Sequence, residues 1–321
     1  MKNIKFAFIA LVALTPLTGC ANINRNATVK VRVVDENGQP IKGVLSEVMS
    51  MSMDDSNSKK GFSDIDGMYS VHLRNIHLNI GGFFNKPDYY ETKGKFWSWG
   101  LGQGYVPPAE TNFVVVLKRI IEPIPMKERE LLAIFPRLDE PFGYDLVIGD
   151  WVAPDGKGEN TDMLLTAEKQ YVAEDDFTVK LFVEFTGEHN GIQSFHYSSK
   201  KVDYLLRSEL PPPPIAPLSG YIQTHEITTR RIPNPKWFEV KSTHDKERMW
   251  IFRIRTEVDD DGKIVAANYG WFTRDFGIGN IPDGTARTGF KFYYNPDPHS
   301  RSLEPKEIAE RQAKDLPRGE D

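Results

Sequence analysis

VKVRVVDENGQPIKGV, residues 29–44, decides how the N-terminal part of this chain folds. Val29, Val31 and Val33 alternate with Lys30 and Arg32, the period-two pattern of a strand with one buried face. Glu36-Asn37-Gly38 follows as a turn, because Asn-Gly tolerates positive φ. Pro40-Ile41-Lys42-Gly43-Val44 then opens a second strand. Downstream, FSDIDGMYSV, residues 62–71, repeats the logic as strand, Asp-Gly turn, strand. TNFVVVL, residues 111–117, is a β-branched, mostly apolar strand that completes the set.

These motifs together resemble the carboxypeptidase regulatory-like family, a prealbumin-type β-sandwich. The family's alternating-valine strand, its P-x-x-G-V turn exit and its S-D-x-x-G-x-Y hairpin all stand here in order, over residues 27–118. The resemblance implies a sandwich and no catalysis, since the module is an accessory in the protease that names it.

A second β-rich unit is expected over 119–300, entered through the proline-punctuated linker IIEPIPM, residues 120–126. FTVKLFVEF, residues 177–185, is the cleanest alternation in the chain. Phe177, Val179, Leu181, Val183 and Phe185 line one face. FGYDLVIGDW (142–151) reads as one strand, as do 221–231 and 289–294. The runs 250–258 and 264–271 flank Asp259-Asp260-Asp261-Gly262 and should pair as a hairpin. Pro211–Pro214 reads as a stiff surface connector. Residues 304–316 suit one short helix with Pro305 in its first turn, within a tail at 301–321. The fold class expected is therefore all-β: a prealbumin-like sandwich, a second β-rich and sandwich-like domain, and a short C-terminal helix. The second unit resembles a group of exported bacterial proteins to which no activity is assigned. The likeness rests on Pro123-Ile-Pro-Met126, Gly149-Asp150-Trp151, Leu206-Arg207-Ser208, Ala267-Asn268-Tyr269-Gly270 and Tyr293-Tyr294-Asn295-Pro296.

The N-terminus addresses the chain to a location. Lys2 and Lys5 precede an apolar run, Phe6 to Leu17, and small residues lead to Cys20, the one cysteine among 321 residues. That is the layout of a secretory signal over 1–19, and the apolar run is too short to span a bilayer. LTGC resembles a bacterial lipobox. The resemblance implies that Cys20 becomes the first mature residue and carries lipid on its sulfur and amine. Several acyl chains hold firmly where one does not. Ala21 is not the aspartate that retains lipoproteins at the inner membrane, so the expectation is the outer membrane, periplasmic face. Residues 20–26 form an anchor and linker, and the six from Ala21 to Asn26 reach at most about 20 Å, so the folded part sits close to the bilayer.

Composition narrows the functions further. Net charge is −5, and −7 once Lys2 and Lys5 leave with the signal, which argues against nucleic acid as a partner. With no second cysteine, the cores alone must hold the fold. No HExxH, G-x-S-x-G, Walker loop or dinucleotide-binding glycine pattern is present. Asp64-Ile-Asp66-Gly67 and the 259–262 cluster read as turns, since the remaining calcium ligands are missing. His189 and His196 flank a turn and could meet across a hairpin. Asp145, Asp150 and Asp155 are carboxylates close in sequence, and spacing alone gives them no shared site. No cofactor, no metal and no catalytic residue are therefore expected.

One stretch remains as a candidate ligand site. A long connection is expected between Leu78 and Glu110, rich in glycine and aromatic residues, and KFWSWGLGQGY (95–105) is its centre. Trp97, Trp99 and Tyr105 would sit on a surface loop and stack on a ligand, or pack into a core. The function expected is a non-enzymatic envelope lipoprotein that binds a protein or glycan. The alternatives are a structural envelope component and a hydrolase of envelope polysaccharide or peptide with a dispersed site.

Overall fold

The protein is described by a computed structural model covering residues 26–51, 56–74, 79–98, 110–196, 205–234, 238–282 and 284–315. Cys20 and the leader lie outside the described residues. The first strands in order are β1 (Ala27–Val34), β2 (Leu45–Met51), β3 (Ser56–Phe62), β4 (Met68–Leu73), β5 (Asn79–Asn85), β6 (Tyr89–Tyr90), β7 (Thr92–Ser98), β8 (Glu110–Val116) and β9 (Lys118–Arg119). There follow β10 (Lys127–Ile134), β11 (Pro141–Asp145), β12 (Asp150–Trp151), β13 (Met163–Ala173), β14 (Asp176–Phe185), β15 (Gly191–His196) and β16 (Leu205–Ser208). The last are β17 (Thr224–Ile232), β18 (Glu239–Ser242), β19 (Arg248–Val258), β20 (Ile264–Phe272), β21 (Gly277–Asn280), β22 (Ala286–Tyr294) and the helix α1 (Lys306–Asp315). The chain is all-β with one short helix, as its patterning implies.

The alternating valines do what their spacing demands. Val29, Val31 and Val33 of β1 are fully buried, and β1 lies between β4, antiparallel, and β8, parallel. A second sheet runs in the order β16-β7-β5-β2-β3. Val48 of β2 and Ile80 and Phe84 of β5 meet the β1 valines and Phe113 and Val115 of β8 in one apolar cluster, so the two sheets form a sandwich. Both turns are built by an aspartate. Asp35 Oδ1 accepts the amides of Asn37 and Gln39, and Asp64 Oδ1 those of Asp66 and Met68. Gly38 and Gly67 take the positive φ these turns require, 77° and 73°. At Gly67 a side chain would run into the Val33 carbonyl.

Residues 79–98 are not the long connection expected from their glycine content. They supply β5, β6 and β7. Glycines at 81, 82 and 94 dilute the apolar alternation, yet Ile80 and Phe84 still face the core. A second departure concerns β16, which lies far along the sequence but pairs antiparallel with β7, Leu205 opposite Lys95 and Ser208 opposite Thr92.

The larger sandwich packs β10-β22-β20-β19-β15, with β21 added to β22, against β12-β11-β13-β14-β17-β18. β14 is the strand its period predicts, with Val179, Leu181, Val183 and Phe185 buried. Opposite them stand Trp250, Phe252, Phe272, Phe290 and Phe292 in a single core. Phe252 and Phe272 lie 5.1 Å apart, and Phe272 and Phe290 meet edge-on at 5.5 Å. Residues 142–151 form two strands rather than one, since Asp145 turns the chain at Leu146–Gly149 into the short β12.

The sheet of β19 and β20 is buried on both faces. Ile251, Ala267, Tyr269 and Trp271 face away from the main core and are covered by Met126, Ala216 and Leu303. The polyproline stretch is part of that cover and not a surface connector: Pro212 and Pro214 are buried, and the Pro214 carbonyl accepts the amide of Leu303.

The two sandwiches are joined by a packed junction. The Lys118 ammonium is buried and donates to the carbonyls of Leu210, Pro211 and Pro212 at 2.9, 2.5 and 2.8 Å. Glu304, fully buried, accepts the amides of Ile121 and Glu122 in the linker. Ala309 of α1 packs with Tyr90 and Leu210, and Gln312 Oε1 accepts the amide of Glu91. A Lys118→Met variant leaves these three carbonyls without their shared donor, at about 1–3 kcal/mol for a buried group left unsatisfied. Its denaturant midpoint should fall at unchanged slope, and an unchanged midpoint would show that the lysine does not hold the junction.

Candidate functional site

Three places in the described residues come first as sites that could act on a ligand. Two are buried carboxylates and one is an open groove.

The first carboxylate pair is Asp145 and Asp162. Asp145 ends β11 and Asp162 immediately precedes β13. Arg255, from the opposite sheet, reaches both. Its Nε and one terminal nitrogen donate to Asp162 at 2.9 and 3.0 Å, and that nitrogen also donates to Asp145 at 2.8 Å. Asp145 Oδ1 further accepts the amides of Val147 and Ile148, and its Oδ2 those of Glu159 and Asn160. Every lone pair is taken. Burial raises the Asp145 carboxyl, but the amides of Ile148, Asn160 and Glu159 and the Arg255 charge outweigh it and hold it below its ordinary value. A carboxylate so saturated cannot take a proton from a substrate.

The second centre is Asp275, fully buried beside β19. Its Oδ1 accepts from the Trp250 indole at 2.7 Å and the Phe276 amide at 3.0 Å. Its Oδ2 accepts the Asp245 amide at 2.9 Å and stands 3.3 Å from Arg248 Nε. His225 and His244 lie 3.7 and 3.8 Å from it. Burial pushes this carboxyl up, and the nearby His225 imidazole, the Asp245 amide, the Trp250 indole and the Arg248 charge together bring it below its ordinary value. His196 pairs with Asp245 at 3.2 Å, while the backbone carbonyl of His189 accepts from Arg253. Among the described residues no group of three or more His, Cys, Asp or Glu side chains is placed to hold a metal ion. Neither Asp150 nor Asp155 joins Asp145 in an open cleft: Asp150 accepts the amides of Trp151 and Lys157, and Asp155 pairs with Arg137 at 3.6 Å.

The open groove lies on the outer face of the β2-β5-β7 sheet. Met49, Phe83, Lys93 and Lys95 wall a cavity of about 190 Å³ whose floor is Gly81, Gly82 and Gly94. Its origin is a bulge. Ile80 faces Trp97 while Gly81 faces Lys95, so Phe96 is an extra residue on β7. The strands then approach so closely that a Cβ on Gly81 would stand 2.6 Å from the Gly94 carbonyl oxygen. Only glycine fits there, and the bare backbone leaves the groove. Lys93 is held over it by Glu91 at 3.2 Å and by Glu209. Of the aromatic candidates, Trp97 lies in β7 itself, opposite Ile80, rather than on a loop. Trp99 and Tyr105 lie outside the described residues. Sequence reasoning singled out the aromatic side chains and missed the glycines, although G-G at 81–82 facing G at 94 was the available sign of close strand approach.

No family model matches the chain and no curated protein matches it. Among solved structures it is similar to a streptococcal ancillary pilin, at 11% identity over 70% of this chain and 60% of that one, with a TM-score of 0.20. It is also similar to the shaft pilin spaA from Lactobacillus rhamnosus GG, at 11% identity over 88% and 96% of the two chains and a TM-score of 0.20. A DUF3823 family protein from Bacteroides uniformis is similar at 10% identity, over 87% and 100%, with a TM-score of 0.19. The chain thus spans 60% of the length of the ancillary pilin. At these TM-scores the likeness carries no argument about function.

Two outcomes test the carboxylate assignments. Arg255→Met leaves Asp145 and Asp162 buried without their cation and should cost about 3–5 kcal/mol at neutral pH. Asp275 has a folded pKa below its unfolded value of 3.8. Its contribution is therefore present above that value and lost as pH falls through the lower, folded one. Wild type should lose stability steeply below pH ~4, and Asp275→Asn should flatten that limb. Parallel curves would remove Asp275 from the account.

Proposed function

We propose that this protein is a non-enzymatic lipoprotein of the cell envelope that binds a protein or glycan partner through the outer face of its N-terminal sandwich. The observation that carries the reading is the groove over Gly81. It offers Phe83 and Met49 as an apolar wall and two ammonium groups at the rim, and it is cut into the same sheet as Trp97. Small apolar concavities edged by a few polar groups are where ligands bind. The buried carboxylates support the non-enzymatic half of the reading, because Asp145 and Asp275 spend their oxygens on backbone amides, the Trp250 indole and the Arg255 guanidinium.

The anchor follows from the lipobox resemblance at Cys20, with the outer membrane's periplasmic face as the site of residence and no nucleic acid among the partners. The two-unit organisation, a regulatory-like module over 27–118 and a β-rich unit over 119–300, places the module next to the anchor. The return of β16 to β7 and the clamp on Lys118 would make the pair move as one body, so a partner held on the first sandwich is held at a defined height above the bilayer.

Two variants test this. Cys20→Ser should abolish lipid attachment and release the protein from the membrane fraction. A Ser variant retained in the membrane like wild type sinks the anchor. Phe83→Asp replaces a half-exposed ring on the outer face, so thermal stability should stay within about 0.5 kcal/mol of wild type. Co-purification of envelope partners with the tagged lipoprotein should be lost. Partners retained on Phe83→Asp would move the binding face elsewhere.

A further inference from the structure

The larger sandwich carries a second concavity. It is cut into the outer face of the β10-β22-β21 sheet, with a volume of about 400 Å³, large enough for a di- or trisaccharide segment. Its floor is one row across three strands: Leu132 of β10 opposite Gly289 of β22, and Gly289 opposite Gly277 of β21. Leu132 is 83% exposed. Arg274, Arg287 and Glu130 stand at the rim.

Two facts separate this row from ordinary surface. The first is Gly277. A Cβ built there meets nothing within 4 Å, and its φ is not in the left-handed region. Neither sterics nor backbone geometry demands a glycine. A glycine inside a strand gives up about 0.5–1 kcal/mol relative to a residue with a side chain, so the position forgoes stability that any larger residue would supply. Keeping the floor bare is what the glycine does. The second fact is the state of the arginines. Among the described residues, the side chains of Arg274 and Arg287 make no ion pair and no hydrogen bond, whereas those of Arg248, Arg255 and Arg311 all engage carboxylates.

The backbone also limits what can bind. Over residues 287–289, β22 is paired on both sides, with β10 and with β21. No ladder donors remain there for an added peptide strand. Recognition must come from side chains: two guanidinium forks, which match carboxylates in pairs of parallel hydrogen bonds, one carboxylate able to accept hydroxyls, and the leucine methyls beside a flat floor. We propose that this trough binds an acidic saccharide, its ring laid on the Gly277–Gly289 floor and its carboxylates on Arg274 and Arg287. The site is independent of the groove over Gly81, which lies on the other sandwich. The protein's net charge of −5 repels long polyanions, so a short uronate segment suits it better than an extended acidic polymer.

The test is calorimetric titration of the detergent-purified full chain with trigalacturonate, with maltotriose as the neutral sugar and inorganic phosphate as the bare anion. Trigalacturonate should bind with a Kd of about 1 mM or tighter, weakening as salt rises. Arg274→Ala and Arg287→Ala should each weaken it by about tenfold. Gly277→Val should abolish binding while the melting temperature stays level or rises, since the added methyls meet open space on a strand. Phe83→Asp should leave binding unchanged. Maltotriose binding as tightly as trigalacturonate overturns the role of the arginines, and phosphate binding as tightly overturns the saccharide assignment. No heat with trigalacturonate at 10 mM, or a folded Gly277→Val that binds normally, overturns the site.

Discussion

The larger sandwich depends on one partly buried guanidinium. β19 runs regularly to Ile254, and its register with β20 then shifts before Glu257. Arg255 sits in the interruption at a φ of 51°, a left-handed conformation that costs a non-glycine residue about 1–2 kcal/mol. Regular alternation would send Arg255 to the face of Ile251 and Arg253. The bulge re-aims it across the sandwich to Asp145 and Asp162. The unfavourable backbone is offset by three charge-assisted hydrogen bonds in a place where an unpaired carboxylate would be far more costly. Through Asp145 the same contact reaches the 146–149 turn and the loop at 159–160, so one arginine ties the facing sheet to both connections.

This arrangement has a functional consequence. The carboxylates that sit deepest are consumed in holding sheets and turns together, and Asp275 repeats the pattern with a tryptophan, an arginine and two histidines. Chemistry that needs a free, poised acid or base finds none of these available. What the fold leaves open is backbone: places on the outer faces where glycines bring strands close or keep a floor bare. The groove over Gly81 is forced by sterics at a bulge. The row through Gly277 and Gly289 is not forced at Gly277. Both expose flat surface edged with cations on a chain whose overall charge is negative, which favours small ligands recognised by local contacts over polyanions recognised by field.

The junction between the sandwiches shows how far apart in sequence the decisive contacts lie. Lys118 meets residues 210–212, Glu304 meets 121–122, and Gln312 meets 91. A linker that its prolines mark only as a connection between units is clamped by a glutamate that follows it by more than 180 residues. Such pairings leave no periodic trace, because they depend on single polar side chains whose partners are backbone atoms of any residue type.

From its residues alone this chain is legibly all-β. Period-two runs such as 29–33 and 177–185 can bury one face only as strands, and Asn-Gly and Asp-Gly at 37–38, 66–67 and 261–262 can turn the chain where larger residues would be strained. The hairpin over 259–262 and the helix after Pro305 were legible for the same local reasons. Strands with weak alternation escaped. β13 is central to its sheet, yet its AEKQY segment looks solvated. β5 and β7 are diluted by glycine. β19 and β20 are buried on both faces, so their pattern reports a strand without saying what covers it. The destination of β16, the burial of Pro212 and Pro214 and the partners of Asp145 were decided by tertiary structure alone. Periodicity records which way a residue faces relative to its neighbours in sequence, and it carries no information about which distant segment lies on that side. The candidate site divided along the same line. Aromatic and glycine composition pointed to residues 79–105, but the groove itself exists only because the register of β5 against β7 slips at Phe96.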